Sequence, residues 1–206
     1  MADRYALVVD STNNNIKEIP AADRLVADNL LLSGTTPTLT IGDAGAEDTK
    51  IVFDGNAQDF YIGLDDSADD LLIGLGSAVG TTPAISIDEN LVTKATAYAD
   101  TYLAPTSSSN ATTINCRGGN YFKHTLTENT TFTFSNPPAS GTGFSFILHL
   151  IQDSTARTVT WPNSVDWASA TAPTISTGSG DDDFFVFATS DGGTIWYGFT
   201  AGQAMA

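Results

Sequence analysis

The residues in this chain best equipped for chemistry are its clustered aspartates. Asp65-Asp66-Ser67-Ala68-Asp69-Asp70 and Asp181-Asp182-Asp183 each gather several carboxylates within a few positions, the oxygen donors that Ca²⁺ takes. Neither run has the alternating ligands and distal Glu of the twelve-residue calcium loop, and neither fits the Gly-Gly-x-Gly-x-Asp nonapeptide. Adjacent aspartates on an extended strand point in opposite directions. Both runs therefore read as solvated turns, and no metal site is assigned. His124 and His149 stand at alternating-strand positions with no Cys, His or Glu at ligand spacing, so each reads as a strand histidine, partly buried or on the surface.

Nucleophilic and phosphate-binding patterns are missing from the sequence: it has no Gly-x-Ser-x-Gly elbow, no glycine-rich loop with lysine and no His-Glu-x-x-His. A glycosidase needs two carboxylates flanking the bond it cuts. Asp166 beside Trp167 is one candidate, but nothing selects its partner. No catalytic residue and no cofactor is assigned, and the chain reads as not an enzyme. The remaining candidates are aromatic. Trp167, Trp196 and Tyr197, with Trp161 nearby, have the ring types of sugar platforms and interface anchors. They could form a receptor face, or they could be core residues of a β-sandwich.

Most of these side chains belong to short strands. Gly34-Thr35-Thr36-Pro37-Thr38-Leu39-Thr40-Ile41 returns as Gly80-Thr81-Thr82-Pro83-Ala84-Ile85-Ser86-Ile87, and Asp59-Phe60-Tyr61-Ile62-Gly63-Leu64 is echoed by Asp70-Leu71-Leu72-Ile73-Gly74-Leu75. Such units cannot bury their own apolar face and need a neighbour, either the next repeat or another copy of the chain. The reading is an elongated β-repeat stem. Before it, Tyr5 to Val9 and Ile16 to Ile19 form a candidate hairpin around an Asn-rich turn. After it, Leu91, Ala95, Tyr98 and Tyr102 are spaced four, three and four, one stripe on a short helix capped by Asn90 and ended by Pro105. That stripe offers contacts for a three-stranded bundle. Thr106 to Asn110 reads as a linker. Beyond Asn120, seven or eight short strands with clean alternation, as in Thr131-Phe132-Thr133-Phe134, favour a β-sandwich or jelly roll.

Charge narrows the partners. The chain carries 8 basic and 24 acidic residues, a net −16. Phosphate-directed nucleic-acid binding needs clustered Lys and Arg, so none is expected. Residues 1–110 hold 17 acidic and 5 basic residues, a net −12. This charge keeps strand edges apart. The single cysteine, Cys116, excludes an intrachain disulfide and agrees with synthesis in a reducing cytoplasm. The opening residues lack the regions of a signal peptide, and no apolar run is long enough to insert in a membrane.

The segment Asp54-Gly55-Asn56-Ala57-Gln58-Asp59-Phe60-Tyr61-Ile62-Gly63-Leu64 with its continuation to Gly74 resembles repeat segments of fibre and virion structural proteins of tailed phages, notably marine ones. Thr130-Thr131-Phe132, Asn136-Pro137-Pro138, Arg157-Thr158-Val159-Thr160-Trp161-Pro162 and Asp191-Gly192-Gly193-Thr194-Ile195-Trp196-Tyr197-Gly198 are similar to a knob at the ends of phage fibres. Arg4 to Asp10 with Ile16 to Pro20 is similar to attachment segments of such proteins. The resemblance implies a homotrimer on the virion, its N-terminus on a capsid or tail protein and its knob outward. A stem of roughly 55 residues at ~3.3 Å each reaches only on the order of 100 to 200 Å, short for a tail fibre.

The expected organisation is thus mainly β and trimeric. Residues 1–33 form a virion-attachment hairpin, 34–90 a β-repeat stem, 91–105 a short helical collar, and 110–206 a jelly-roll-like β-sandwich knob. The expected role is a non-enzymatic virion structural protein, a short fibre or capsid decoration. The alternatives are a receptor-binding tail fibre gripping host surface glycan and a depolymerase-type tailspike. In the attachment segment the apolar residues Tyr5, Leu7, Val9, Ile16 and Ile19 should contact the particle. Replacing Leu7 and Ile16 with Asp would place unpaired charges in that contact. Particles assembled with this variant should lack the protein on gels, while the free protein keeps a folded knob.

Overall fold

Alternation of apolar with small or polar residues produces strands, and the fold is a set of them. The computed structural model describes residues 7–10, 15–18 and 28–205. Two units divide the chain, residues 1–96 and 97–206. In the first, β1 (Leu7–Asp10) and β2 (Asn15–Glu18) pair antiparallel with Val9 opposite Ile16, the hairpin the sequence predicts. Tyr5 and Ile19 lie outside the described residues.

The rest of this unit is one antiparallel meander of β3 (Thr49–Phe53), β4 (Phe60–Asp65), β5 (Asp70–Leu75), β6 (Pro83–Ile87) and β7 (Thr93–Ala95). The eleven-residue echo is the pair β4 and β5. Their register sets Tyr61 against Gly74 and Gly63 against Leu72, so each glycine leaves room for the bulky residue opposite. A Cβ on Gly74 would stand 2.5 Å from the Tyr61 ring. Tyr61 is fully buried, and its hydroxyl accepts a hydrogen bond from the Gly80 N–H at 3.2 Å. Val79 comes within 3.1 Å of where a Gly63 Cβ would lie. The β5–β6 connection thus covers one face of the sheet.

The opposite face is different. Ile51, Ile62, Ile73 and Ile85 stand in one row across four strands, flanked by Phe53, Phe60 and Leu75 on one side and Leu64, Leu71 and Ile87 on the other. Ile62 keeps 38% of its surface exposed and Phe53 56%. The charged strand residues Lys50, Asp65, Asp70 and Lys94 all have the other parity.

The structure departs from the sequence reading here. The second Gly-Thr-Thr-Pro leads into β6, but no strand is assigned to residues 34–41, so the two copies do not adopt the same structure. The helix expected from Leu91 to Tyr102 is replaced by a hairpin turn and β7. Asp88 Oδ1 accepts the N–H groups of Asn90 and Val92, both at 2.9 Å, and Leu91 N–H bonds the Asp88 carbonyl with φ at 63°. An aspartate that captures its own downstream donors makes a turn rather than a helix start. Asn90, expected as the cap, sits inside that turn.

Residues 97–206 form two layers. A six-stranded mixed sheet runs β14 (Val165–Trp167), β16 (Trp196–Met205), β15 (Asp182–Thr189), β12 (Phe144–Gln152), β10 (Tyr121–Leu126), β8 (Tyr102–Leu103). A three-stranded parallel sheet runs β13 (Val159–Thr160), β11 (Thr130–Ser135), β9 (Ala111–Asn115). Phe134 of the smaller sheet contacts Phe146, Phe187 and Trp196 of the larger at ring separations of 5.0, 4.9 and 5.3 Å. Jelly rolls are built from antiparallel Greek keys, whereas here β10 pairs parallel with both β8 and β12. Thr106 to Asn110 is no free linker: Ser108 and Ala111 exchange backbone hydrogen bonds at 3.0 and 3.2 Å, with Ser109 and Asn110 at positive φ.

Because this core is contained within residues 97–206, that fragment should melt cooperatively when expressed alone. Phe187→Ala in it should lower the unfolding free energy by about 3–5 kcal/mol, the usual cost of a deleted buried Phe. Denaturant titration followed by tryptophan emission measures both.

Candidate functional site

The tryptophans occupy the interior of the two-layer unit rather than an open groove. Trp196 is 1% exposed, while Trp161 and Trp167 are half-buried against the core. Trp167 lies over Gly198 of the neighbouring strand, where an added Cβ would come within 2.7 Å of the ring. Gly193, at φ 77°, lets the β15–β16 loop pass between Pro137 and the Trp196 indole nitrogen, 2.9 and 3.0 Å from its would-be Cβ. Asp191 holds that loop by accepting the Ile195 N–H at 3.1 and 3.2 Å and the Thr189 hydroxyl at 2.9 Å. The Ile195 N–H is the main cause holding the Asp191 carboxyl below the usual range. Tyr197 points the other way and is 51% exposed, next to Phe199 at 55% on the same outer face. The structure therefore separates Trp196 from Tyr197 across the sheet.

Both histidines are built into polar contacts. His124 donates from Nδ1 to the Pro105 carbonyl at 2.8 Å, and its Nε2 lies 3.3 Å from Ser107 Oγ. Ser107 Oγ also meets Thr112 Oγ1 at 2.7 Å and Thr130 Oγ1 at 2.9 Å. A serine beside a histidine has the outline of a nucleophile and its base. Here, however, the hydroxyl already has three partners, and all three, His124 and the two threonines, are buried. Burial holds the His124 pKa below its ordinary 6.5, against the Pro105 hydrogen bond and the Glu128 charge, which raise it. His149 stacks on Phe184 at 4.2 Å and reaches Tyr121 Oη from Nδ1 at 3.3 Å. Its Nε2 lies 3.1 Å from Asp182 Oδ1, an ion-pair distance without hydrogen-bond alignment.

The aspartate clusters divide among structural tasks. Asp183 is buried and accepts from Ser176 N–H and Oγ at 2.7 and 2.6 Å and from Ala204 N–H at 3.0 Å. Asp181 accepts from Gly178 N–H at 2.8 Å. Three consecutive aspartates thus serve different partners: Asp181 meets Gly178, Asp182 meets His149, and Asp183 meets both Ser176 and Ala204. Asp65 to Asp70 closes the β4–β5 hairpin, with Asp69 at φ 57° and Asp65 accepting the Ser67 hydroxyl at 2.8 Å. Among the described residues, no group of three or more His, Cys, Asp or Glu stands close enough to hold a metal ion. Asp166 is exposed on β14. Cys116 is buried and its thiol is pushed up to about 11 by that burial, which removes it from thiolate chemistry at neutral pH.

Leu91, Ala95, Tyr98 and Tyr102 do not form one stripe. Leu91 occupies the β6–β7 turn and Ala95 the strand β7, while Tyr98 and Tyr102 belong to the second unit, where both are exposed. Tyr102 instead borders a cleft of about 210 Å³ with Pro105, Ser107, Lys123 and Thr125. Sequence reasoning missed Ser107, Thr112 and Thr130. The two threonines share inward parity with Ile114 and Phe132 on their strands, and that parity was the available signal.

Residues 105–180 match the family described as "Putative phage tail fibre C-terminal domain". The matched segment runs from the Pro105 that holds His124, through the three-stranded sheet and β14, and stops before β15. No curated protein and no solved structure matches the chain. Over this segment the chain is similar to a phage tail fibre domain, which supports a phage fibre structural role and a place on the virion.

The His124 environment has a pH consequence. A folded pKa below the unfolded value means that the unfolded chain takes the proton first as pH falls. Stability contributed by the neutral ring should be complete above pH 6.5 and decline as the pH drops towards the lowered folded pKa. Denaturant midpoints at pH 7.5 and 5 should differ more for the native fragment 97–206 than for His124→Asn.

Proposed function

We propose that the protein is a non-enzymatic phage virion structural protein, a short trimeric fibre or capsid decoration, synthesised in the host cytoplasm. The observation that carries this reading is the match of residues 105–180 to a tail fibre C-terminal domain. Supporting it, the histidines and the buried aspartate are engaged in holding loops and layers together. In this reading the hairpin of β1 and β2 anchors the chain on a capsid or tail protein, and residues 97–206 form the outward knob. Three chains assemble because the repeat strands leave an apolar face that a single copy does not cover.

A second reading, a receptor-binding fibre, is favoured by one observation. Tyr197 and Phe199 lie exposed on one face of β16, and exposed rings of this kind stack on sugars. That reading predicts that fragment 97–206 binds host cells and that Tyr197→Ala with Phe199→Ala abolishes the binding.

Sedimentation equilibrium tests the assembly. The expected mass is three times the 21.6 kDa chain, and a stable single chain at micromolar concentration would falsify the trimer. A density map of the whole particle then distinguishes head decoration from tail fibre by where the N-terminus enters.

A further inference from the structure

The face of the β3–β7 sheet that its own connections leave exposed has a defined set of residues. Its isoleucine row and the flanking Phe and Leu rows contain no charged side chain. At the exposures these residues keep, the face offers on the order of 700 Å² of apolar surface, above the ~300–600 Å² patch of an ordinary monomer and near the ~800 Å² per partner of a stable interface.

We infer that this face is the surface on which copies of the chain join, each sheet covered by the equivalent sheets of the other copies. The inference rests on the trimeric reading proposed above and names its contact. Charge selects the occupant. The chain carries −16, so a second copy is repelled wherever acidic turns meet. Lys50, Asp65, Asp70 and Lys94 all belong to the opposite face, so this face can meet its equivalent without opposing like charges. Geometry agrees. Five strands at ~4.8 Å spacing make a wall roughly 20–24 Å wide, and three such walls enclose an axis about 6–7 Å from each sheet, a depth that Ile, Leu and Phe side chains fill. Thr49 and Thr93 end the row of Leu64, Leu71 and Ile87, so the apolar area has a polar margin.

The test uses the full chain with Ile73→Cys or, on the opposite face, Lys50→Cys, each treated with a maleimide. Cys116 is buried with its thiol pushed up to about 11 and contributes little background. The thiol at position 73 should react about tenfold or more slowly than the one at position 50, as expected of a site open only in a minor dissociated population. Ile62→Asp with Ile73→Asp should reduce the sedimenting mass to one chain while the near-ultraviolet circular dichroism of the tryptophans is kept. Equal labelling rates in a chain that sediments as three copies would overturn this surface and leave the trimer standing. Slow labelling combined with a double variant that remains three chains would mean that the chain covers its own face, which also overturns the inference. A wild-type chain that sediments singly would overturn both, whether another protein or a membrane takes the face. If the double variant fails to fold, the two labelling rates, read with the wild-type mass, still decide.

Discussion

The contact of Phe134 with Phe146, Phe187 and Trp196 joins the two layers of the C-terminal unit, and much else is arranged around it. β11 contributes Phe132 and Phe134 to the inter-layer space, where Phe132 also stacks on Trp161 at 5.6 Å. Trp161 in turn contacts Trp167 and Phe185 at 5.3 and 5.0 Å. Aromatic rings bury large areas and prefer such edge-on or offset contacts. The glycines follow from the rings: Gly193 and Gly198 are required where Trp196 and Trp167 leave no space for a Cβ. The Asp191 to Gly198 segment is here a device for seating tryptophans.

Burying so many rings brings polar groups inside with them, and each must be satisfied. Gln152 shows how. It is 4% exposed, donates to the carbonyls of Arg157 and Ser176 at 3.0 and 2.8 Å, and accepts the Arg157 N–H at 3.1 Å. One side chain thus fastens the approach to β13 and the segment before β15. Asp183 fastens the same segment from the other side through Ser176. His124 does the equivalent work for the segment that precedes β9. These groups resemble catalytic parts in type, but their partners are backbone groups and serine hydroxyls of their own unit. That is how this unit holds its loops without a disulfide.

The N-terminal sheet presents the complementary case. A strand sends alternate side chains to opposite faces, and the meander of β3 to β7 covers one face with its own β5–β6 connection while leaving the other apolar and open. The first unit therefore has one face finished within the chain and one that is not. The acidic residues lie in the turns and on the finished face, which leaves the open face without a carboxylate.

The sequence by itself determined what depends on neighbours along the chain. Alternation in Thr131-Phe132-Thr133-Phe134 placed β11, the apolar run into Gln152 placed β12, and the Asn-rich turn between Val9 and Ile16 placed the first hairpin. Only the tertiary structure decided which strands pair and which faces are covered. The stripe of Leu91, Ala95, Tyr98 and Tyr102 has helical spacing, yet Asp88 captures the donors that would start a helix, and β6 offers β7 a ready edge. Pairing partners lie far away in sequence, as with β10 between β8 and β12, so no local pattern announces a parallel ladder. The same reasoning explains why Trp196 and Tyr197, adjacent in sequence, part company. Their parity could be read from the sequence, but which side would be roofed by the three-stranded sheet depended on the packing of Phe134.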